Sequence, residues 1–230
     1  MSLRRRRPAG PGAAAYERAL APPSSTPWRQ AAFCVVDLET TGLRPGEDEI
    51  ISIGAVPIEA GRIRAARQLY RLARPERDLP AASIEIHGIR PSDLADAPPL
   101  AEGLDALAGL LAGRVLVAHA IWVERGFLAP AFKTIGTRLR GPMADTSALG
   151  QLWLHERDGR APGMLSLTTL ATALGLPVHR PHHALGDALT TAQAFLALAT
   201  HLDVSDPQTV GSLARGAQRL ASLQVFHPHG

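Results

Sequence analysis

A chain of 230 residues in which 46% of side chains are apolar can bury a core of its own, so one domain, alone or with tails, is expected. One cysteine excludes a disulfide scaffold, and no uninterrupted apolar run reaches the roughly 18 residues of a membrane span. The formal net charge of +3 hints at a polyanion partner, but its location weakens the hint.

Residues 1–30 hold Arg4, Arg5, Arg6, Arg7, Arg18 and Arg29 against one acid, Glu17. Removing these from the totals of 24 basic and 21 acidic residues leaves 18 and 20, so the body is not a basic protein. Rich in Pro, Ala, Gly and Arg, the segment reads as a disordered or loosely attached arm, either a nucleic-acid-binding tail or a solubilising extension. Its arginines are not followed by a signal-peptide core, because Glu17 and Arg18 interrupt the alanines. Cys34 lies inside an apolar run as a buried structural thiol, and a reducing, cytoplasmic location is expected.

Ala32 to Leu38 reads as a strand apolar on both faces, hence central in a sheet. Ile51, Ile53 and Ala55, followed by a turn at Glu59 to Gly61, predict a second and third strand in a hairpin, so the sheet begins as an antiparallel meander. After a proline-punctuated loop, Leu100, Leu104, Leu107 and Leu111 have helical spacing that ends at Gly113. A short buried strand (114–119), a helix interrupted near Pro130, a strand at 142–146 and a helix from Ser147 to His155 follow. An exposed loop at 156–164 and two helices, 165–175 and 184–202, complete the body, and the alternation is that of an α/β mixed sheet. The segment Gln218 to Phe226 reads as an amphipathic terminal helix packing on its own domain, with a faint likeness to a sliding-clamp peptide.

The first strand ends "VVDLETTG". Alternation sends Asp37 and Glu39 to one face, their side chains starting about 6–7 Å apart. Two carboxylates so close to a buried strand repel each other and lose solvation unless a cation sits between them. Mg²⁺ or Mn²⁺ suits such oxygen-rich clusters, whereas the plain alternative is a pair of acids past the strand end, with Asp37 capping the turn made by Thr40, Thr41 and Gly42. Glu124 and Asp187 each fall in the first turn of a predicted helix, where an acid is favourable without any further role. His182 precedes Asp187 by five positions.

Together these stretches resemble the DEDDh 3′-5′ exonucleases, the type that includes the epsilon subunit of bacterial DNA polymerase III. "VVDLETTGL" with "IISIGAV" is similar to the first motif, "VAHAIWVERGFL" to the second and "HHALGDA" to the third, with "IHGI" and "ADT" between them. The resemblance covers about Phe33 to Leu202. It implies a ribonuclease H-like three-layer α/β fold: a mixed five-stranded sheet, its first three strands antiparallel, flanked by helices. Residues 31–202 would be the exonuclease domain, 1–30 the arm and 203–230 a helical C-terminal extension.

By resemblance, Asp37, Glu39 and Asp187 bind two divalent metals, Mg²⁺ or Mn²⁺, and His182 is the general base. Glu124 stands where the second-motif aspartate stands, as a further metal ligand. The implied reaction is hydrolysis of the 3′-terminal phosphodiester of DNA or RNA to nucleoside 5′-monophosphates. Leu38, Thr40, Thr41, His87 and Gly88 would line the terminal nucleotide, with Phe127 flanking it. Thr41 and Gly42 are equally good turn residues. Trp122 is expected to pack at least partly in the core, the other reading being a stack on a base. Arg180 is a candidate phosphate contact. The implied partner is the 3′ end of single-stranded or frayed nucleic acid, with a polymerase or sliding clamp as candidate protein partners and no membrane.

Two positions depart from the pattern. Ala120 replaces the second motif's usual asparagine, and Glu124 is one methylene longer than aspartate. An active enzyme with an adjusted second metal site is expected. The alternatives are a non-catalytic nucleic-acid-binding module and a different carboxylate-metal phosphohydrolase acting on small nucleotides.

Overall fold

The structure, a computed structural model, describes residues 8–159 and 163–226. The Arg4–Arg7 run, part of the expected 156–164 loop and the last four residues lie outside them. In chain order the elements are α1 (Pro11–Arg18), β1 (Ala32–Thr40), β2 (Ile50–Glu59), β3 (Arg62–Ile63), β4 (Leu69–Leu72), α2 (Ala81–His87), α3 (Pro91–Leu94), α4 (Leu100–Leu111) and β5 (Val115–Ala118). Then come α5 (Trp122–Thr134), β6 (Met143–Asp145), α6 (Thr146–Asp158), α7 (Leu167–Ala173), α8 (Ala184–Ser205), α9 (Val210–Ala214) and α10 (Gly216–Phe226).

The sheet runs β3-β2-β1-β5-β6, with β4 also on β2. β1 and β2 are antiparallel from Ala32↔Glu59 to Glu39↔Ser52, while β5 and β6 continue the sheet in parallel. It has six strands where five were expected, because the third is broken in two. Ile63 pairs with Ile58 and Leu69 with Ala55, and a short 3-10 turn, Ala65–Arg67, bulges out between them. Arg64 and Arg67 of that excursion reach the Glu59 carboxylate, and the Arg64 N–H donates to the Pro57 carbonyl.

Both faces of the sheet are covered, as the doubly apolar β1 requires. Phe33 and Val35 point into a core closed by α6, α7, α8 and α9, whereas Cys34, Val36 and Leu38 point into one closed by α1, α4 and α5. Burial pushes the Cys34 thiol up to about 12, so it packs as an apolar group. By alternation Asp37 and Glu39 face the α8 side, and this places the site.

Residues 8–30 are not the loose arm their composition predicts. α1 lies against α4, where Gly12 comes so close that a Cβ would collide with the Asp105 carbonyl. The Asp105 carboxylate accepts from the N–H groups of Gly12 and Ala13. Tyr16 meets Phe132 edge-on at 5.6 Å, and Trp28 is buried in the main core. The glycines and alanines that read as low complexity are what allow this close approach. Among the described residues no helix is long and apolar enough to cross a membrane.

Candidate active site

β1 delivers Asp37 and buried Glu39 to the end of the sheet, and α8 delivers Asp187 in its first turn. One carboxylate oxygen from each of the three lies within 4.8 Å of the others. Two glycines make the meeting possible. Gly54, across from Asp37, leaves room for the backbone of Ala184, and Gly186 leaves room for the carbonyl of His179.

The segment ahead of α8 folds back over that helix. The His179 N–H donates to Thr190 Oγ1 at 3.0 Å, and its ring contacts Gln193 Oε1 at the same distance. Arg180 and His182 both take the left-handed backbone, with φ of 40° and 59°. Such a turn costs energy for residues with a Cβ and needs support. The support is electrostatic, since the His182 N–H donates to Asp187 Oδ2 at 2.8 Å and so fixes the carboxylate as well. The His182 side chain is exposed beside it, while His183 caps α8 through Gly186 N–H and stacks on Tyr70 at 4.5 Å.

Glu124 comes from the third position of α5 and is 4% exposed, with Oε2 buried and without a hydrogen-bond partner. A buried carboxylate oxygen of this kind is costly without a donor or a cation beside it. The electrostatics agree. Burial, then Glu124, Glu39 and Asp187, holds Asp37 well above the usual carboxylate range. Burial and then Asp187 push Glu39 up to about 7. Glu124 is pushed up to about 8 by burial, partly offset by its own backbone N–H, with Asp145 and Glu39 adding to the rise. Asp187 is also raised by burial, against the pull of His182. Hard divalent cations match an all-oxygen donor set that repels itself, so these residues fit such an ion.

Asp145 is the residue whose part the sequence did not disclose. It caps α6 by accepting from Ser147 N–H at 2.9 Å, and it accepts from the N–H groups of Ala120 at 3.0 Å and Ile121 at 3.3 Å. It thereby holds the turn that starts α5, at the alanine that replaces the second motif's usual asparagine. Ala120 has a φ of 57°. His119, just before it, bridges Thr146 Oγ1 at 3.0 Å and the Leu165 carbonyl at 2.8 Å, so Nε2 carries the proton. The sequence signal at Asp145 was the "ADT" of the resemblance, read as part of a strand, and it carried no role for this side chain.

The remaining candidates divide. The Thr40 hydroxyl donates to the Gly42 carbonyl, and the Thr41 hydroxyl accepts from Glu49 N–H at 3.0 Å, so both hydroxyls serve the turn. Leu38 and Phe127 are buried together in one apolar cluster. His87 Nδ1 accepts from Ile89 N–H at 3.0 Å, which puts the proton on Nε2, a buried atom with no partner. Burial, and then His182, lowers the His87 pKa. Gly88 ends α2 in the left-handed region at φ 71°. Trp122, expected to be at least partly packed, is 58% exposed, because the buried stripe of α5 is set by Glu124, Phe127, Leu128 and Phe132.

The exonuclease family model matches residues 34–195. A DNA polymerase III subunit epsilon-like protein of Rhodobacter capsulatus is 38% identical over 193 residues, 83% of this chain and 27% of that protein. DNA polymerase III PolC-type of Thermotoga petrophila is 38% identical over 170 residues, 74% of this chain and 12% of that one. The chain thus spans about a quarter or less of the length of these relatives. Among solved structures, Exonuclease X in complex with 5′ overhanging duplex DNA superposes with a TM-score of 0.60 at 24% identity, covering 80% of this chain and 99% of that one. E. coli Exonuclease I in complex with a dT13 oligonucleotide gives 0.62 at 14% identity, covering 76% and 42%. These two show the same fold. With the family match running from the start of β1 into α8, across every acid of the cluster, the chain belongs to the exonuclease family.

Proposed function

We propose that the chain removes nucleotides one at a time from the 3′ end of a DNA strand, releasing nucleoside 5′-monophosphates, with two divalent metal ions, Mg²⁺ or Mn²⁺, held by Asp37, Glu39, Asp187 and Glu124. The observation that carries this is the convergence of three carboxylates within 4.8 Å beside a fourth whose Oε2 is buried without a partner. When bound, such ions polarise the phosphodiester and acidify the attacking water. The chain's own residues do the rest. β1 holds Asp37 and Glu39 stiffly, and the His182 N–H orients Asp187. His182, exposed and close enough to Asp187 for its charge to pull on that carboxyl, takes the proton from the attacking water as general base in this reading.

DNA is favoured as substrate because the relatives carry polymerase names and the structural neighbours are named as DNA complexes. A DNA polymerase is the corresponding protein partner. Strands labelled at the 3′ or at the 5′ end, as DNA and as RNA, incubated with Mg²⁺ or Mn²⁺, test the reading. Loss of the 3′ label as mononucleotide, with stepwise shortening of the 5′-labelled strand, is expected. Retention of intact strand would instead mark a binding module.

A further inference from the structure

Three of the six large apolar side chains exposed among the described residues neighbour candidate site residues in sequence: Leu43 after Gly42, Ile86 before His87, and Trp122 two positions before Glu124. Trp122 is the one with a neighbour that defines a ligand. It is the first residue of α5, and helical side chains lean toward the N-terminus, which directs the indole toward the end of the helix that follows β5 and carries Glu124 in its first turn. Arg125, one turn on and on the same side of the helix, is exposed and has no ion-pair partner among the described residues. The other two tryptophans are accounted for within the fold, Trp28 in the core and Trp153 stacked on His201.

An open aromatic plane beside a free guanidinium is what single-stranded nucleic acid requires. The plane stacks on a base and the cation pairs with the adjoining phosphate. Only an unpaired base has a free face to offer, since in a duplex both faces are covered by neighbours. We propose that Trp122 and Arg125 form a stacking platform for an unpaired base upstream of the scissile bond, which makes a single-stranded 3′ end of several nucleotides the preferred substrate. This rests on the exonuclease reading above.

The test compares wild type, Trp122→Ala and Trp122→Phe on two substrates: an octanucleotide of thymidines, and the p-nitrophenyl ester of thymidine 5′-monophosphate, which has no upstream base. Trp122→Ala should raise KM for the octanucleotide about ten-fold, leave its kcat nearly unchanged and leave ester hydrolysis untouched. Trp122→Phe should retain most of the affinity. Abasic nucleotides upstream should erase the difference between wild type and Trp122→Ala. Equal KM values on an octanucleotide that both proteins digest would overturn the platform, and so would an equal loss on the ester. A wild type inert toward both substrates would instead remove the exonuclease reading.

Discussion

Gly54 stands across from Asp37 in the β1–β2 ladder, and the space left by its missing side chain is occupied by the backbone of Ala184, 2.2 Å from where a Cβ would lie. Sheet and helix therefore meet backbone to backbone, and this contact brings Asp187, three residues further on, to the acids of β1. No rotamer change can relieve a clash with a carbonyl. Gly54→Ala should push α8 outward, cost about 1–3 kcal/mol of stability and weaken divalent-metal affinity. Thermal unfolding, and metal titration below the melting range, separate the two effects. Unchanged metal affinity would show that Asp187 is held in place by other contacts.

Ala120 and Asp145 give a second, opposed pair of outcomes. The left-handed backbone at Ala120 suits asparagine better than alanine, so Ala120→Asn should stabilise the fold by about 0.5–1 kcal/mol. Asp145→Ala strips acceptors from the N–H groups of Ala120 and Ile121 and should cost about 1–3 kcal/mol. It should also lower kcat more than it raises KM, because α5 carries Glu124. Denaturant melts with steady-state kinetics check both. A destabilised Ala120→Asn would mean that the turn has no room for a longer side chain.

The contrast between Asp37 and Asp145 shows what was legible in the chain. Strand alternation alone put Asp37 and Glu39 on one face, and the resemblance supplied Asp187, His182 and Glu124. The role of Asp145 depends on two backbone N–H groups twenty-odd positions away, which no local pattern records. α1 was misread for a related reason. Its alanines and glycines carry little hydrophobic signal of their own, and their value lies in how closely they let two helices approach. The break between β3 and β4 brings arginines to Glu59 from across a hairpin, a contact that periodicity does not encode.

The raised carboxylates set the pH behaviour of the metal-free protein. Glu39 and Glu124 hold protons up to about 7 and about 8 in the fold, against an ordinary glutamate value of 4.5. Between those limits the native state binds more protons than the unfolded chain, so their contribution is fully present below 4.5 and is lost as the pH rises through 7 to 8. In EDTA the melting temperature should therefore fall from pH 5.5 to pH 8.5, and added Mg²⁺ or Mn²⁺ should restore it at the alkaline end only. A cation replaces the protons, so metal affinity should climb over the same window. A melting temperature that rises with pH in EDTA would contradict the clustering of these acids.

Glu124→Gln separates charge from shape at one atom. The amide keeps the volume of the buried side chain but removes the charge that burial, Asp145 and Glu39 all oppose. In EDTA at pH 8.5 the variant should be more stable than wild type, and the alkaline fall in melting temperature should become shallower. If Glu124 serves the metal site, the same variant should lose about 10–100-fold in hydrolysis or metal affinity. Stability and activity would then move in opposite directions, which is the mark of a charge kept for function at the expense of the fold. A structural acid in the first turn of a helix would behave otherwise: its removal would leave hydrolysis intact, and the orphan Oε2 would have no bearing on the reaction.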